Sequence, residues 1–409
     1  MKIKSILAVA LLVISFACDD DNDNVIPEKT SLLTLTVDAS YLDDDSDDWI
    51  MVHGEDGALL ASESFQPDQQ LEIVTDKPVP GKIMVTHLKY VSSNGGGKWY
   101  FANSHSNIDK GKHMVLKGSS PPPALTGKIN VSVSNVNFFD YFWLTSRVGA
   151  VVSGGWSSAT DILELQSYTY TGVSKYIVTV SDGFSLRYRV LDNVHADDSY
   201  SFSFYDMDRF NQRVDFTFPQ SSDVMLRVTG SEPDATLTPN AYTLMTRYPL
   251  NTQTTIEAGY LNILTNYRTV LNIGYPGYAY EFKNIGSIPD GNIAWPQKSD
   301  FNITENSFTN FSATTSKSYV WRLSTWGYSD APSKTSVTWN VSTSSGHQFI
   351  KELPSEITSI HPALSLENMK HSSTTFYTQS PTYESLVNNK FESGPELAGV
   401  QLGIKIITD

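Results

Sequence analysis

The stretch that decides the fold is residues 176–190, Tyr-Ile-Val-Thr-Val-Ser-Asp-Gly-Phe-Ser-Leu-Arg-Tyr-Arg-Val. From Phe184 onward, Phe184, Leu186, Tyr188 and Val190 alternate with Ser185, Arg187 and Arg189. That period of two is the signature of a strand with one packed face and one wet face. Tyr176, Val178 and Val180 form a matching row just before it, and Asp182-Gly183 between the rows reads as a hairpin turn. Tyr200, Phe202 and Phe204 repeat the pattern, as do Val214, Phe216 and Phe218. Strands at roughly ten-residue spacing, separated by turn signals, predict an antiparallel β-sandwich of immunoglobulin-like type.

Working outward, the same reading extends in both directions. Toward the amino terminus, strand-like runs occur at 33–37, 49–52, 71–74, 83–90 and 98–102, with turn residues at Gly57, Pro78-Val79-Pro80-Gly81 and Asn94 to Gly97. Pro121-Pro122-Pro123 then predicts a stiff spacer. Toward the carboxyl terminus, 261–264 and 270–273 are strand-like, 274–280 reads as an aromatic loop, and Val337, Trp339 and Val341 alternate again, as does 401–407. Short helices fit only 354–370 and 381–390. The chain is therefore expected to be all-β, with two or three tandem sandwich domains: 31–118, 124–235, and a β-rich region 236–409 of one or two units.

Composition supports this class. Aromatic residues make up 12 % of the chain and charged residues only 18 %, a mixture that suits sheets better than solvent-facing helices. The formal net charge of −15 argues against binding nucleic acid, which depends on Lys and Arg meeting phosphates. No stretch approaches the length of a membrane-spanning helix. Cys18 is the single cysteine, so no intrachain disulfide can form and the domains rest on their cores.

The amino terminus carries a different kind of signal. Lys2 and Lys4 precede an eleven-residue apolar run, Ile6 to Phe16, and Ala17 follows it. This is the pattern of a secretory signal and is too short to span a bilayer. Cys18 stands at the expected cleavage point, and Asp19, Asp20 and Asp21 follow it. This leader resembles that of the surface lipoproteins of the Bacteroidota. The resemblance implies a signal peptide over 1–17, an acyl (palmitoyl-type) anchor on Cys18, and an acidic export signal at Asp19, Asp20 and Asp21. It further implies an outer-membrane, lipid-anchored protein facing outward, with 18–30 as a flexible acidic tether. A lipid anchor would be redundant on a transmembrane barrel, and the proline spacer would interrupt barrel closure.

Motifs of enzymatic chemistry are missing from the sequence. It contains no HExxH, no Gly-x-Ser-x-Gly elbow and no phosphate-cradling glycine loop, and no two histidines have the i, i+4 spacing of a helical metal pair. Two features remain. Asp43, Asp45 and Asp47 place alternate carboxylates in one loop, which fits either a calcium ion or a solvated acidic turn. Trp156, Tyr275, Tyr278, Trp326 and Tyr328 sit among glycines and polar residues, where exposed rings could cover the apolar faces of sugars. The expectation is a surface protein that captures a polysaccharide through aromatic loops. Its alternatives are an adhesin or structural component contacting a surface-protein partner through sheet edges, and a glycoside hydrolase with a carboxylate pair.

Overall fold

Alternation becomes pairing in the computed structural model, which describes residues 29–41, 46–93, 95–118, 121–150, 153–233, 235, 237, 241–248, 252–344 and 350–408. The protein is all-β and rich in antiparallel sheet. The two α-helices of the described residues, α1 (Ser355–Ile360) and α2 (Tyr383–Phe391), fall in the two segments that the sequence allowed for helix. No described helix is long and apolar enough to cross a membrane.

A twelve-stranded sheet dominates the molecule. Its strands lie in the order Tyr242–Arg247, Asp223–Ser231, Asn266–Tyr275, Tyr278–Gly286, Gly399–Ile407, Lys370–Gln379, Trp321–Asp330, Thr335–Thr343, Lys98–Ile108, Ile83–Ser92, Ser46–Gly54 and Leu59–Phe65. Neighbours run antiparallel except at one seam, where Thr335–Thr343 pairs in parallel with Lys98–Ile108. Strand pairing thus crosses both of the divisions read from the sequence, at 118–124 and at 235–236. A buried polar contact pins the seam: the Trp339 indole N–H donates to Ser104 Oγ at 2.8 Å, and Ser104 in turn shares a 2.7 Å hydrogen bond with Thr86. Trp339 itself is fully buried.

Smaller sheets close over the large one. Thr30–Val37, flanked by Gln69–Thr75 and Lys112–Leu116, brings Leu33, Leu35, Val37, Ile73 and Met114 into one cluster with Ile50, Val52, Ile83, Val85 and Ile108 of the large sheet. Helix α2 enters the same cluster through Tyr383, Val387 and Phe391, whose i, i+4, i+8 spacing gives the helix one apolar stripe. The opposite face of the large sheet is covered around Trp326, Trp339 and Ile357 near α1. Further along it is covered by the Gln212–Ser221 and Gln253–Tyr260 pair. Each fully buried Leu, Ile or Phe in these clusters contributes about 1.5–3 kcal/mol, so folding rests on area and not on covalent ties.

Residues 125–209 form a sandwich of two four-stranded sheets with a core of Val131, Leu144, Leu165, Val178 and Val180. Tyr176–Ser181 and Leu186–Leu191 pair as the opening stretch predicts, with Gly183 at φ +82° in the turn. One member of that row departs from it. Phe184 belongs to the turn, not the strand, and is 96 % exposed. The Asp182 side chain accepts from the Phe184 and Ser185 backbone N–H groups, at 2.9 and 2.6 Å, and this local bonding outcompetes continuation of the strand. The segment 261–264 is likewise a turn, because it must reverse the chain between the strands Gln253–Tyr260 and Asn266–Tyr275.

Candidate functional site

The large sheet packs one face into the core. On its other face, the central strands present a polar surface beside α2. Because side chains alternate along a strand and neighbouring strands are in register, residues two apart form rows across this face. The first row is Asn103, Asn340 and Thr325. Asn340 donates to Asn103 Oδ1 at 3.2 Å and accepts from the Thr325 hydroxyl at 2.9 Å. The second row is His105, Ser342 and Leu323. A third row places Trp321 opposite Tyr377.

Trp321 and Tyr377 stack with centroids 4.1 Å apart and planes 16° from parallel, and both rings are half-buried. Two hydrogen bonds hold them in place. The Trp321 indole N–H donates to Ser380 Oγ at 2.8 Å, and the Tyr377 hydroxyl donates to Glu281 at 3.2 Å. Tyr377 reaches Glu281 across Gly403, which pairs with both residues. A Cβ at Gly403 would lie 2.8 Å from Thr375 Cγ2 and 3.1 Å from the Tyr377 ring, so only glycine leaves the ring its path. Burial, reinforced by Glu281, raises the Tyr377 hydroxyl pKa, so the hydroxyl remains a donor at neutral pH.

Helix α2 walls this surface. Thr382 caps it by accepting from the Ser385 N–H, and the Tyr383 hydroxyl donates toward the carbonyls of Ser342 at 2.7 Å and Ser106 at 3.0 Å. Between helix and sheet lies a cavity of about 290 Å³. Trp321, Leu323 and Val387 form part of its apolar wall, while Asn103, His105, Asn340 and Gln401 bring polar groups to it. Lys283, Lys390 and Glu396 bring charge. A second cavity of about 360 Å³ shares Tyr383 and Val387 and lies against Lys82, Asn107 and Lys112. This combination of an aromatic platform with a few convergent polar groups is the usual make-up of a small-molecule site.

Two features of the charge are distinctive. Glu396 is held by Lys283 at 2.6 Å and by Arg268 at 3.3 Å, whereas Lys390 makes no ion pair among the described residues. His105 is neutral at physiological pH. Burial pushes its pKa down to about 4, and the nearby Lys390 charge pushes the same way. Its Nδ1 is buried without a hydrogen-bond partner among the described residues. Glu396 is the only carboxylate lining the first cavity among the described residues, so the paired carboxylates of a glycosidase do not line it.

The aromatic residues expected to form a site fall into three groups. Trp326 is only 4 % exposed; its ring meets Phe308, Phe311 and His371 edge-on, and its indole N–H donates to Asn306 O. Far from being a loop aromatic, it is core, because it lies on the inward face of the Trp321–Asp330 strand. Tyr328, half-buried on the same strand, bonds the Ala363 carbonyl and receives the Ser365 N–H, so it ties down the segment after α1. Trp156 is half-buried, with its indole N–H on Val136 O at 2.6 Å and Phe139 against its ring.

Tyr275 and Tyr278 are brought together. They flank the Pro276-Gly277 turn as a cross-strand pair, with rings stacked at 4.8 Å and only 10° apart. Tyr280 and Trp295 extend this into a four-ring cluster, although the Tyr275 hydroxyl is engaged by Pro219 O. What read as a loop over 274–280 is thus the tip of a hairpin.

Asp43 and Asp45 lie outside the described residues, as do Cys18, Asp19, Asp20 and Asp21. Asp47 is exposed, with its carboxylate 3.7 Å from His361 Nε2. Among the described residues no three His, Cys, Asp or Glu side chains converge as a metal site.

Sequence reasoning did not find the cavity. Its one local signal is the run Asn103, His105 and Asn107 alternating with Ala102, Ser104 and Ser106, where polar side chains recur on one strand face. The remaining members come from strands, from helix α2 and from the segment after it, scattered over 283–401, and become neighbours only through the tertiary fold. Comparison with family models, curated proteins and solved structures finds no match to this chain.

Proposed function

We propose that the protein is a surface lipoprotein, anchored to the outer membrane through Cys18, that captures a polysaccharide in the cavity beside α2. The observation that carries this reading is that Trp321, held in place by its stack on Tyr377, lines one cavity with the side-chain amides of Asn103, Asn340 and Gln401. A sugar ring offers an apolar C–H face to an aromatic platform and hydroxyls to amides. His105, neutral and lining the same cavity, adds an uncharged polar side chain. The amides carry no charge, so desolvating them on binding costs far less than desolvating ions.

The test is a polysaccharide screen by affinity electrophoresis and calorimetry with protein beginning after residue 25, paired with Trp321→Ala. Binding that drops at least about tenfold in the variant is expected, because losing an aromatic anchor at the centre of a site costs about 2 kcal/mol. No binding to any polysaccharide, or binding indifferent to Trp321, would sink the proposal. For the anchor, Cys18→Ala should move the protein from the membrane fraction to the soluble fraction; a variant that still sediments with membranes would refute lipidation.

A further inference from the structure

The charge around the cavity is opposite to that of the protein. The chain carries −15, yet Lys283 and Arg268 both pair with a single carboxylate, Glu396, and Lys283 and Lys390 line the cavity beside it. Lys283 directs one ammonium N–H to Glu396, and an ammonium has three donors. Lys390, on the last turn of α2, lines the cavity without an opposing charge among the described residues. A cation with no partner is free to meet an anion from outside. His105 lines the same cavity and is held neutral by burial, so it adds no charge of its own.

We infer that the cavity takes an acidic sugar unit, with the anionic group of the sugar placed against Lys390 and Lys283 and its ring laid on Trp321. This inference rests on the reading of the cavity as a polysaccharide site and narrows it to one class. The physical reason is local. An acidic protein repels an acidic polymer at long range, but salt at about 0.15 M screens that repulsion beyond about 8 Å. Within that distance the two lysines dominate, in a cleft whose apolar walls strengthen their field. A neutral sugar would use the stack and the amides but leave Lys390 without a purpose in the site. Carboxylated and sulfated sugars share the required chemistry.

The experiment measures binding of the full mature protein to polygalacturonate and alginate, which carry carboxylates, and to carrageenan, which carries sulfates. Each is run beside its carboxyl-reduced or desulfated counterpart and beside a panel of neutral polysaccharides. Lys390→Gln and Lys390→Arg are run in parallel. Expected is binding to an acidic chain that weakens about tenfold or more when the chain is neutralised, weakens similarly in Lys390→Gln, and recovers in Lys390→Arg. Which arm responds tells carboxylate from sulfate. Equal binding of acidic and neutralised chains, or of neutral polysaccharides alone, would overturn the inference and leave polysaccharide capture standing. Binding to no chain of either kind would remove both.

Discussion

Trp321 and Tyr377, register partners on adjacent antiparallel strands, lie face to face 4.1 Å apart above a glycine that lets the second ring reach across to Glu281. An offset or parallel pair of this kind is worth about 0.5–1.5 kcal/mol beyond its buried area. It also makes a platform that is already ordered before any ligand arrives, which lowers the entropic cost of binding. Gly403→Ala should therefore damage binding without touching the ligand. The added Cβ displaces Tyr377, and affinity for the bound polysaccharide should fall several-fold. Unchanged affinity, with unchanged near-ultraviolet circular dichroism, would show that the stack is not positioned by Gly403.

Helix α2 depends on Tyr383. Its hydroxyl reaches two strand carbonyls, Ser106 and Ser342, and its ring lies in the core beneath. Tyr383→Phe keeps the ring and should cost about 1–2 kcal/mol, the value of a buried hydrogen bond left unmade. Hydrogen exchange should quicken over 383–391 more than elsewhere. Uniform protection would mean that the helix is held by Val387 and Phe391 alone.

Buried histidines should make the protein acid-sensitive. Burial brings His105 and His371 down to about 4 and lowers His53 and His361 as well. The folded state thus binds protons less readily than the unfolded chain, whose histidines titrate near 6.5. Stability is full above pH 6.5, falls as the pH drops toward 4, and levels off below the folded value. His105 alone accounts for about 3 kcal/mol over that window. Urea midpoints measured between pH 7.5 and 4.5 should decline, and His105→Gln should flatten part of the slope. A midpoint that rises on acidification would contradict this reading.

Trp326→Ala tests the core against the site. Removing a buried tryptophan should cost about 3–5 kcal/mol through lost transfer energy and the cavity left behind. Chemical denaturation would measure it. A loss under 1 kcal/mol would mean that the ring is not packed as Phe308, Phe311 and His371 indicate.

The parallel seam predicts that the carboxyl-terminal two-thirds cannot stand alone. A fragment starting at residue 124 lacks Lys98–Ile108 and exposes Thr335–Thr343 as a new edge inside the large sheet. Unpaired edges recruit other strands, so the fragment should self-associate in sedimentation velocity. A monomeric fragment with a sharp unfolding transition would refute that dependence.

Local features were legible early. The alternation at 186–190, the Asp182-Gly183 turn and the helix over 381–390 each arise from contacts within a few residues, which sequence periodicity reports directly. Phe184 shows the limit: its alternation was in phase, but a side-chain bond from Asp182 ended the strand first. Trp326 shows another. Next to Gly327 it looked like a loop aromatic, but a strand has two faces, and only the packing partners decide which is buried.

The sequence by itself determined that this chain would build strands, where most of them turn, and which two segments could hold the short helices of the described residues, because those depend on side-chain period and turn chemistry. Tertiary structure alone decided that Lys98–Ile108 would meet Thr335–Thr343, and so that Asn103 and His105 would share a cavity with Trp321, Lys390 and Gln401. Backbone hydrogen bonds are the same for every residue, so strand order follows from which faces can be buried together across the whole molecule. No local pattern encodes that.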